Sequence, residues 1–170
     1  NMPELWDIYD KNRKKTGKTA RRDIDELKEG EYHIITVGII MNSKNQLLIT
    51  KRAPHKKLGL MWEFSGGSVQ SGETSLEGIL RELKEEIGVQ FTKKDAIFLK
   101  EKRKDITPPG FKDMWLFRKD VKDEEITFPD GEAIDYKWVT IDEFLKMCEQ
   151  KEVIPTVDFG LDEYNKALKM

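Results

Sequence analysis

Cysteine and long apolar runs are the features that this sequence has least of. Cys148 is the only cysteine among 170 residues, which excludes an intrachain disulfide and favours a reducing, cytoplasmic location. No apolar stretch approaches the roughly 18 residues that a membrane-spanning helix needs, and the chain opens without a signal-peptide pattern. We therefore expect a cytoplasmic protein that has no membrane partner.

An excess of charge of one sign is also missing. Lys and Arg number 30, Asp and Glu number 32, and the net charge is −2 although 36% of the residues are charged. A balance of this kind argues against a protein that binds nucleic-acid polymers or membrane surfaces through overall charge. Neither a repeat nor a linker interrupts the chain, so residues 1–170 are expected to form one domain.

Short β-branched runs alternate with turns and with two late helical segments. An N-terminal hairpin is predicted within residues 4–22, in a lead-in that extends over 4–31. Strands are predicted at 32–41, 46–51, 95–103, 112–118 and 134–139, and helices at 141–149 and after Gly160. This mixture favours an α+β layered domain with a mixed sheet. The hairpin edge could also support a homodimer.

The most informative segment is residues 66–89, GGSVQSGETSLEGILRELKEEIGV. A helix is predicted over 74–87 because its apolar residues recur at steps of three and four. The three carboxylates of Glu82, Glu85 and Glu86 then lie close together beside the apolar stripe. Such a cluster suits a hard divalent cation, whereas an ordinary acidic surface helix is the alternative. Gly88 is expected to end the helix, and a flexible loop containing Gly66, Gly67 and Gly72 to turn its carbonyls toward the ion.

The same segment matches the pattern G-x5-E-x7-R-E-U-x-E-E-x-G-U, in which U is a bulky aliphatic residue. The nine matching residues are Gly67, Glu73, Arg81, Glu82, Leu83, Glu85, Glu86, Gly88 and Val89. The chain therefore resembles the Nudix hydrolases, which cut a diphosphate inside a nucleoside diphosphate joined to another group. The resemblance implies an α/β/α sandwich, with residues 66–89 as the catalytic loop and helix.

The resemblance also implies roles for the residues of this segment. Mg²⁺ or Mn²⁺ is expected to bind Glu82, Glu85, Glu86 and the carbonyl of Gly66, and Glu82 is the first candidate for the general base. Gly67, Glu73 and Arg81 are expected to be structural, with Arg81 paired to Glu73. The implied partner is a small nucleoside diphosphate derivative.

Further site residues are expected outside this segment. Glu132 resembles the distal catalytic glutamate of many Nudix enzymes, with a solvated loop carboxylate as the alternative. Lys51 and Arg52 are candidate substrate ligands, and Arg52 is suited to clamp phosphate because its guanidinium group binds phosphate in a fork. Trp62 and Phe64 either stack a base or belong to the core. The neighbouring side chains of His55, Lys56 and Lys57 are expected to be solvated.

About residues 4–145 also resemble the Nudix subgroup of isopentenyl-diphosphate isomerase, in segments such as GEYHIITVGIIMN and GEAIDYKWVTIDEF. Isomerisation is thus the leading alternative function. However, Gly66 stands where that family has its acid cysteine, and Ser68 stands where it has a metal-binding histidine. A non-catalytic nucleotide-binding module is a third possibility, but such modules typically lack glutamates that are all present here.

Overall fold

The structure, a computed structural model, describes residues 2–170; Asn1, the first residue of the expected domain, lies outside the described residues. An antiparallel hairpin forms the N-terminal part, with strands β1 (Leu5–Tyr9) and β2 (Lys15–Arg21). Backbone hydrogen bonds of 2.8 Å join Tyr9 and Tyr32 in both directions and attach the hairpin to the rest of the domain. The ring of Trp6 stacks on the ring of His33, with 4.0 Å between centroids. The predicted hairpin is confirmed.

A mixed seven-stranded sheet forms the centre of the part of the chain that the structure describes. Its strands are β3 (His33–Met41), β4 (Leu47–Arg52), β5 (Trp62–Glu63), β6 (Gly66–Ser68), β7 (Ala96–Lys104), β8 (Gly110–Arg118) and β9 (Ala133–Val139). The order is β5-β4-β3-β8-β7, with β6 paired to β3 and β9 paired to β4. Only the β3–β8 pairing is parallel among these described strands. The five predicted strands of the sheet are present, with ends that differ by one or two residues.

Three helices cover the two faces of the sheet: α1 (Ser75–Ile87), α2 (Ile141–Glu149) and α3 (Leu161–Leu168). Ile79 and Leu83 of α1 pack with Ile40 of β3 on one face. Phe144 of α2 and Tyr164 of α3 belong to a second core cluster on the opposite face. The predicted α+β class and the α/β/α sandwich are confirmed. None of the described helices is long and apolar enough to cross a membrane.

Local sequence explains where α1 begins and ends. The Thr74 side chain accepts a hydrogen bond from the backbone N–H of Glu77, and the Glu77 side chain accepts one from the N–H of Thr74. Gly88 adopts φ 72° at the other end, a left-handed conformation that glycine takes at little cost. The prediction of a flexible loop at Gly66 and Gly67 is wrong, because both residues belong to β6 and pair with β3.

Candidate active site

The carboxylates predicted to be catalytic line one cavity of about 160 Å³. Its walls contain the backbone of Gly66 and Gly67 and the side chains of Glu4, Arg22, Lys56, Glu82, Glu85, Glu86, Asp130 and Glu132. β6 contributes the glycines, α1 the three neighbouring glutamates, and the loop before β9 the last two acids. The fold thus brings Glu132 to the helix carboxylates across almost 50 residues of sequence. We name this space the carboxylate cavity.

Arg81 connects the loop, the strand and the helix of the site. Its guanidinium group donates hydrogen bonds of 2.6 and 2.9 Å to the two carboxylate oxygens of Glu73 and one of 3.1 Å to the carbonyl of Ser68. Its Nη1 atom donates to Glu82 at 3.1 Å and to Glu85 at 3.0 Å. The expected pairing of Arg81 with Glu73 is therefore present in the structure. Arg81 holds these groups in place and occupies oxygens that face the cavity.

The glycines of β6 allow close approaches to β3 and to α1. A Cβ atom on Gly66 would collide with the carbonyl oxygen of Thr36 on β3. A Cβ atom on Gly67 would collide with the carboxylate of Glu82. Gly67 thus lets the backbone of β6 lie directly against a carboxylate of α1, which agrees with the structural role expected for it.

Glu86 is the most buried acid of the cavity. It is 5% exposed, and no side chain among residues 2–170 donates a hydrogen bond to it or pairs with it as a cation. Burial, reinforced by the neighbouring charges of Glu63, Glu82 and Asp130, raises its pKa to about 8. Burial also raises the pKa of Glu82, against the effect of Arg81. Ionised Glu86 is therefore a costly group that a cation would stabilise.

A divalent cation fits this donor set. No three carboxylates, histidines or cysteines among residues 2–170 are arranged around a common point, because Arg81 draws the Glu82 and Glu85 side chains toward itself. The Glu85 side chain is 47% exposed, and the 3.0 Å hydrogen bond that it accepts from Arg81 faces solvent. Glu86 has no competing partner, and all the candidate ligands are the hard oxygens that Mg²⁺ prefers.

Arg52 makes contacts with two residues of the protein that the sequence did not predict. Its Nη1 atom donates 3.0 Å hydrogen bonds to both carboxylate oxygens of Glu63, and its Nε atom donates to the carbonyl of Lys57 at 2.9 Å. The Nη2 atom makes no hydrogen bond within the described residues, so a contact of Arg52 with substrate stays a prediction. Arg52 braces Glu63, a carboxylate whose pKa is raised by burial and whose charge acts on Glu86.

Lys56 is not the solvated side chain that the sequence suggested. Its Nζ atom lies 3.2 Å from the carboxylate of Glu132, and the side chain lines the carboxylate cavity. His55, which is exposed as expected, lies 3.7 Å from the same carboxylate. Glu132 is thus positioned by a cation at the edge of the cavity.

A second cavity of about 260 Å³ adjoins the first and is named the cleft. The two spaces share Arg22, Lys56, Gly66 and Gly67. The other residues that line the cleft are Ile35, Val37, Arg52, Glu63, Phe64, Lys104, Lys112, Ile154, Thr156 and Val157. A substrate that reaches the carboxylates can therefore extend along a cleft with a basic rim.

The aromatic candidates do not offer a stacking surface in the cleft. Phe64 is 4% exposed and packs against Phe144 and Phe159 in the core. Trp62 and Lys51 line neither cavity, and the Trp62 ring lies beneath the Nζ atoms of Lys51 and Lys137 at 5.8 and 4.6 Å. The core alternative therefore describes Phe64, whereas base stacking by Trp62 and a substrate contact of Lys51 stay predictions.

Several residues of the site were not predicted from the sequence. Glu4 and Arg22 come from the hairpin ends, where the Arg22 Nη1 atom pairs with Glu4 at 3.0 Å. Glu63 lies between the candidates Trp62 and Phe64, and Asp130 lies two residues before Glu132. These positions give a local signal for both acids, whereas the hairpin residues reach the site only through tertiary packing.

The groups that isomerisation would need are not assembled here. Gly66 occupies the position of the acid thiol, and Cys148 lies on α2, packed against the core cluster that contains Phe144. His33 is buried beneath Trp6 rather than facing the carboxylates.

Comparisons with known proteins identify the family to which the chain belongs. The NUDIX domain family model matches residues 31–157. An uncharacterized Nudix hydrolase of Listeria monocytogenes is 36% identical over 154 residues, which is 89% of each chain. The isopentenyl-diphosphate Delta-isomerase of Escherichia coli is 27% identical over 110 residues, covering 62% of this chain and 60% of that protein. A crystal structure of a protein from Deinococcus radiodurans shares the fold, with a TM-score of 0.72, 23% identity and 98% coverage of both chains. The chain belongs to the Nudix family and is a hydrolase that acts on diphosphate bonds.

Proposed function

We propose that this protein is a pyrophosphohydrolase, dependent on Mg²⁺ or Mn²⁺, that cleaves a nucleoside diphosphate linked to another group by attack of water on phosphorus. The observation that carries the proposal is the buried Glu86 carboxylate, which lacks a cationic partner among residues 2–170 and lies with Glu82 in a cavity open to a basic cleft. A cation bound there would polarise the diphosphate and acidify the attacking water.

The basic side chains between the two cavities are suited to hold the diphosphate. Arg22 and Lys56 line both spaces, so phosphate oxygens placed beside Gly66 and Gly67 would meet a guanidinium and an ammonium group. Charge-assisted hydrogen bonds of this kind orient the phosphorus for in-line attack. The same two residues would compensate the charge that develops in the transition state.

Glu82 is proposed as the general base. The Nη1 atom of Arg81 donates a 3.1 Å hydrogen bond to one carboxylate oxygen of Glu82. Gly67 has no side chain, so the Glu82 carboxylate lies directly against the backbone of β6. The raised pKa of Glu82 brings its affinity for a proton closer to that required near neutral pH. Glu132, held by Lys56, is proposed to act on the opposite side of the cavity, where it can orient water or substrate.

The proposal includes a cytoplasmic location, a small-molecule partner and the possibility of a homodimer. A single cysteine supports the first. The exposed outer strand of the hairpin, β2, supports the last, since it presents an unpaired edge.

The function is tested by measuring phosphate release from nucleoside triphosphates, nucleotide sugars, dinucleotides and prenyl diphosphates with and without Mg²⁺. We expect hydrolysis of a nucleoside diphosphate derivative that EDTA abolishes. Glu85→Gln and Glu86→Gln should lose most of this activity with the fold intact. Lys84→Gln, which removes an exposed charge from the same helix, is the matched control and should retain it. Near wild-type turnover of both glutamate variants at low millimolar Mg²⁺ would contradict the metal assignment.

A further inference from the structure

Strand β7 carries three lysines at alternate positions, Lys100, Lys102 and Lys104, on one face of the sheet. The first two have acidic partners from the C-terminal segment. Lys100 pairs with Glu163 at 3.0 Å, and Lys102 pairs with Asp158 at 2.7 Å. Lys104 has no ion-pair partner within residues 2–170, and it lines the cleft. Lys104 is therefore the one lysine of this series without an acidic partner among the described residues, and Lys102 shares the single carboxylate of Asp158 with Lys112.

The neighbours of Lys104 in the sheet keep this end of the cleft open. Lys104 is in register with Gly110 of β8, and Gly110 is in register with His33 of β3. A Cβ atom on Gly110 would lie 3.1 Å from the Cδ2 atom of His33. A glycine at this position leaves no side chain between the lysine and the imidazole.

The same end of the cleft has a positive potential. Burial is the main cause that lowers the pKa of the His33 imidazole to about 4, and the charges of Arg22 and Lys104 lower it further against the opposing charge of Glu4. The ring is 2% exposed, and both of its nitrogens lack a hydrogen-bond partner within the described residues. Lys112, the next lysine along the cleft, is by contrast paired with Asp158 at 2.8 Å.

The floor of the cleft is aliphatic. It consists of Ile35, Val37, Ile154 and Val157, and the one aromatic side chain in its lining, Phe64, belongs to the core. A base would find no ring to stack on here. Discrimination between substrates at this end of the cleft must therefore come from charge and shape.

We propose that the substrate carries a phosphate monoester remote from the scissile diphosphate, and that Lys104 binds this second phosphate at the end of the cleft, whereas Arg22, which lines both spaces, stays beside the diphosphate. The inference rests on the proposed function, since it assumes that the diphosphate occupies the carboxylate cavity. It narrows the substrate class to diphosphate compounds that bear an additional phosphate monoester. A dianion at this position would neutralise Lys104 in the way that Glu163 neutralises Lys100.

Two matched pairs of compounds test this inference: coenzyme A against 3′-dephospho-coenzyme A, and NADPH against NADH. Each pair differs only by one phosphate monoester remote from the diphosphate. Binding is measured by isothermal titration calorimetry with the full chain and Ca²⁺ in place of Mg²⁺, so that a hard cation is available to the carboxylate cavity, and phosphate release is followed in parallel. We expect the phosphorylated member of at least one pair to bind about tenfold more tightly, the contribution of a charge-assisted contact.

Substitutions assign the effect to the lysine. Lys104→Met should reduce the preference to within about twofold, whereas Lys100→Met, on the same strand and face, should retain it. Equal affinities within both pairs, or a Lys104→Met variant that weakens both members of a pair equally, would overturn the inference. Hydrolysis assays with Mg²⁺ separate the two proposals. Equal binding with Mg²⁺-dependent hydrolysis refutes only the second phosphate site, whereas a preference without hydrolysis of any diphosphate refutes only the proposed function.

Discussion

The substitution Glu86→Gln should stabilise the metal-free protein, and increasingly so as the pH rises. The pKa of Glu86 is raised from 4.5 to about 8 in the folded protein, so the folded state binds more protons than the unfolded state between these two values. Stability must then fall as the pH rises through this window. At about 1.4 kcal/mol per unit of pKa, the ionisation of Glu86 costs the wild-type protein about 3 kcal/mol more at pH 8 than at pH 5. A glutamine does not ionise and avoids this cost.

The effect is measured by thermal unfolding in EDTA from pH 5 to pH 8. A chain of this size changes its melting temperature by about 2–4 °C per kcal/mol. The difference between Glu86→Gln and the wild type should therefore grow by roughly 6–12 °C across the range. Glu85→Gln, an exposed position on the same helix, is the control and should show no comparable growth. Saturating Mg²⁺ should raise the melting temperature of the wild type and not that of Glu86→Gln. Parallel curves of melting temperature against pH would refute the assignment of Glu86 as a buried, unpartnered carboxylate.

Three further substitutions separate scaffold from chemistry. Arg81→Ala should remove activity and lower the free energy of unfolding by about 2 kcal/mol, because Glu73 and Glu82 lose their cationic partner. Chemical denaturation measures the stability, and an unchanged value would show that Arg81 does not hold these carboxylates in place. Gly67→Ala should reduce turnover more than it reduces melting temperature, since its Cβ atom displaces the Glu82 carboxylate, and a kinetically normal variant would show that Glu82 has room to move. Glu132→Gln should lower kcat about 100-fold or more while the melting temperature stays within about 2 °C, whereas full activity would leave Glu132 as a surface acid paired with a lysine.

The helix of the site and its ends could be predicted from the sequence because their causes are local. The apolar spacing, the Thr74–Glu77 capping pair and the Gly88 stop all lie within 15 residues. The strands were predicted with small errors at their ends for the same reason. The two-residue strand β5 and the three-residue strand β6 were missed, because they form only through pairing with β4 and β3.

The corrections at the site have the same physical origin. Pairing of Thr50 with Glu63 brings the carboxylate of Glu63 beside Arg52, so the arginine makes an ion pair that the sequence did not predict. Lys56 meets Glu132 only after the loop before β9 folds onto the β4–β5 loop. Arg22 and Glu4 reach the cavity because the hairpin is fastened at Tyr9 and Tyr32. The spacing of residues along the chain does not reveal contacts between residues that are far apart in sequence.

Isotope transfer from labelled water tests the reaction most directly. Hydrolysis by attack of water on phosphorus transfers ¹⁸O from H₂¹⁸O into a phosphate product, which mass spectrometry detects. Isomerisation would leave the diphosphate whole and carry deuterium from D₂O into the carbon skeleton of isopentenyl diphosphate. Since Gly66 replaces the thiol that would protonate the alkene, and since one acid–base group contributes about 10²–10⁴-fold, isomerisation should be close to undetectable. We expect ¹⁸O in phosphate released from a nucleoside diphosphate derivative and no deuterium in isopentenyl diphosphate. Rapid deuterium incorporation without ¹⁸O-labelled phosphate would contradict the hydrolytic function.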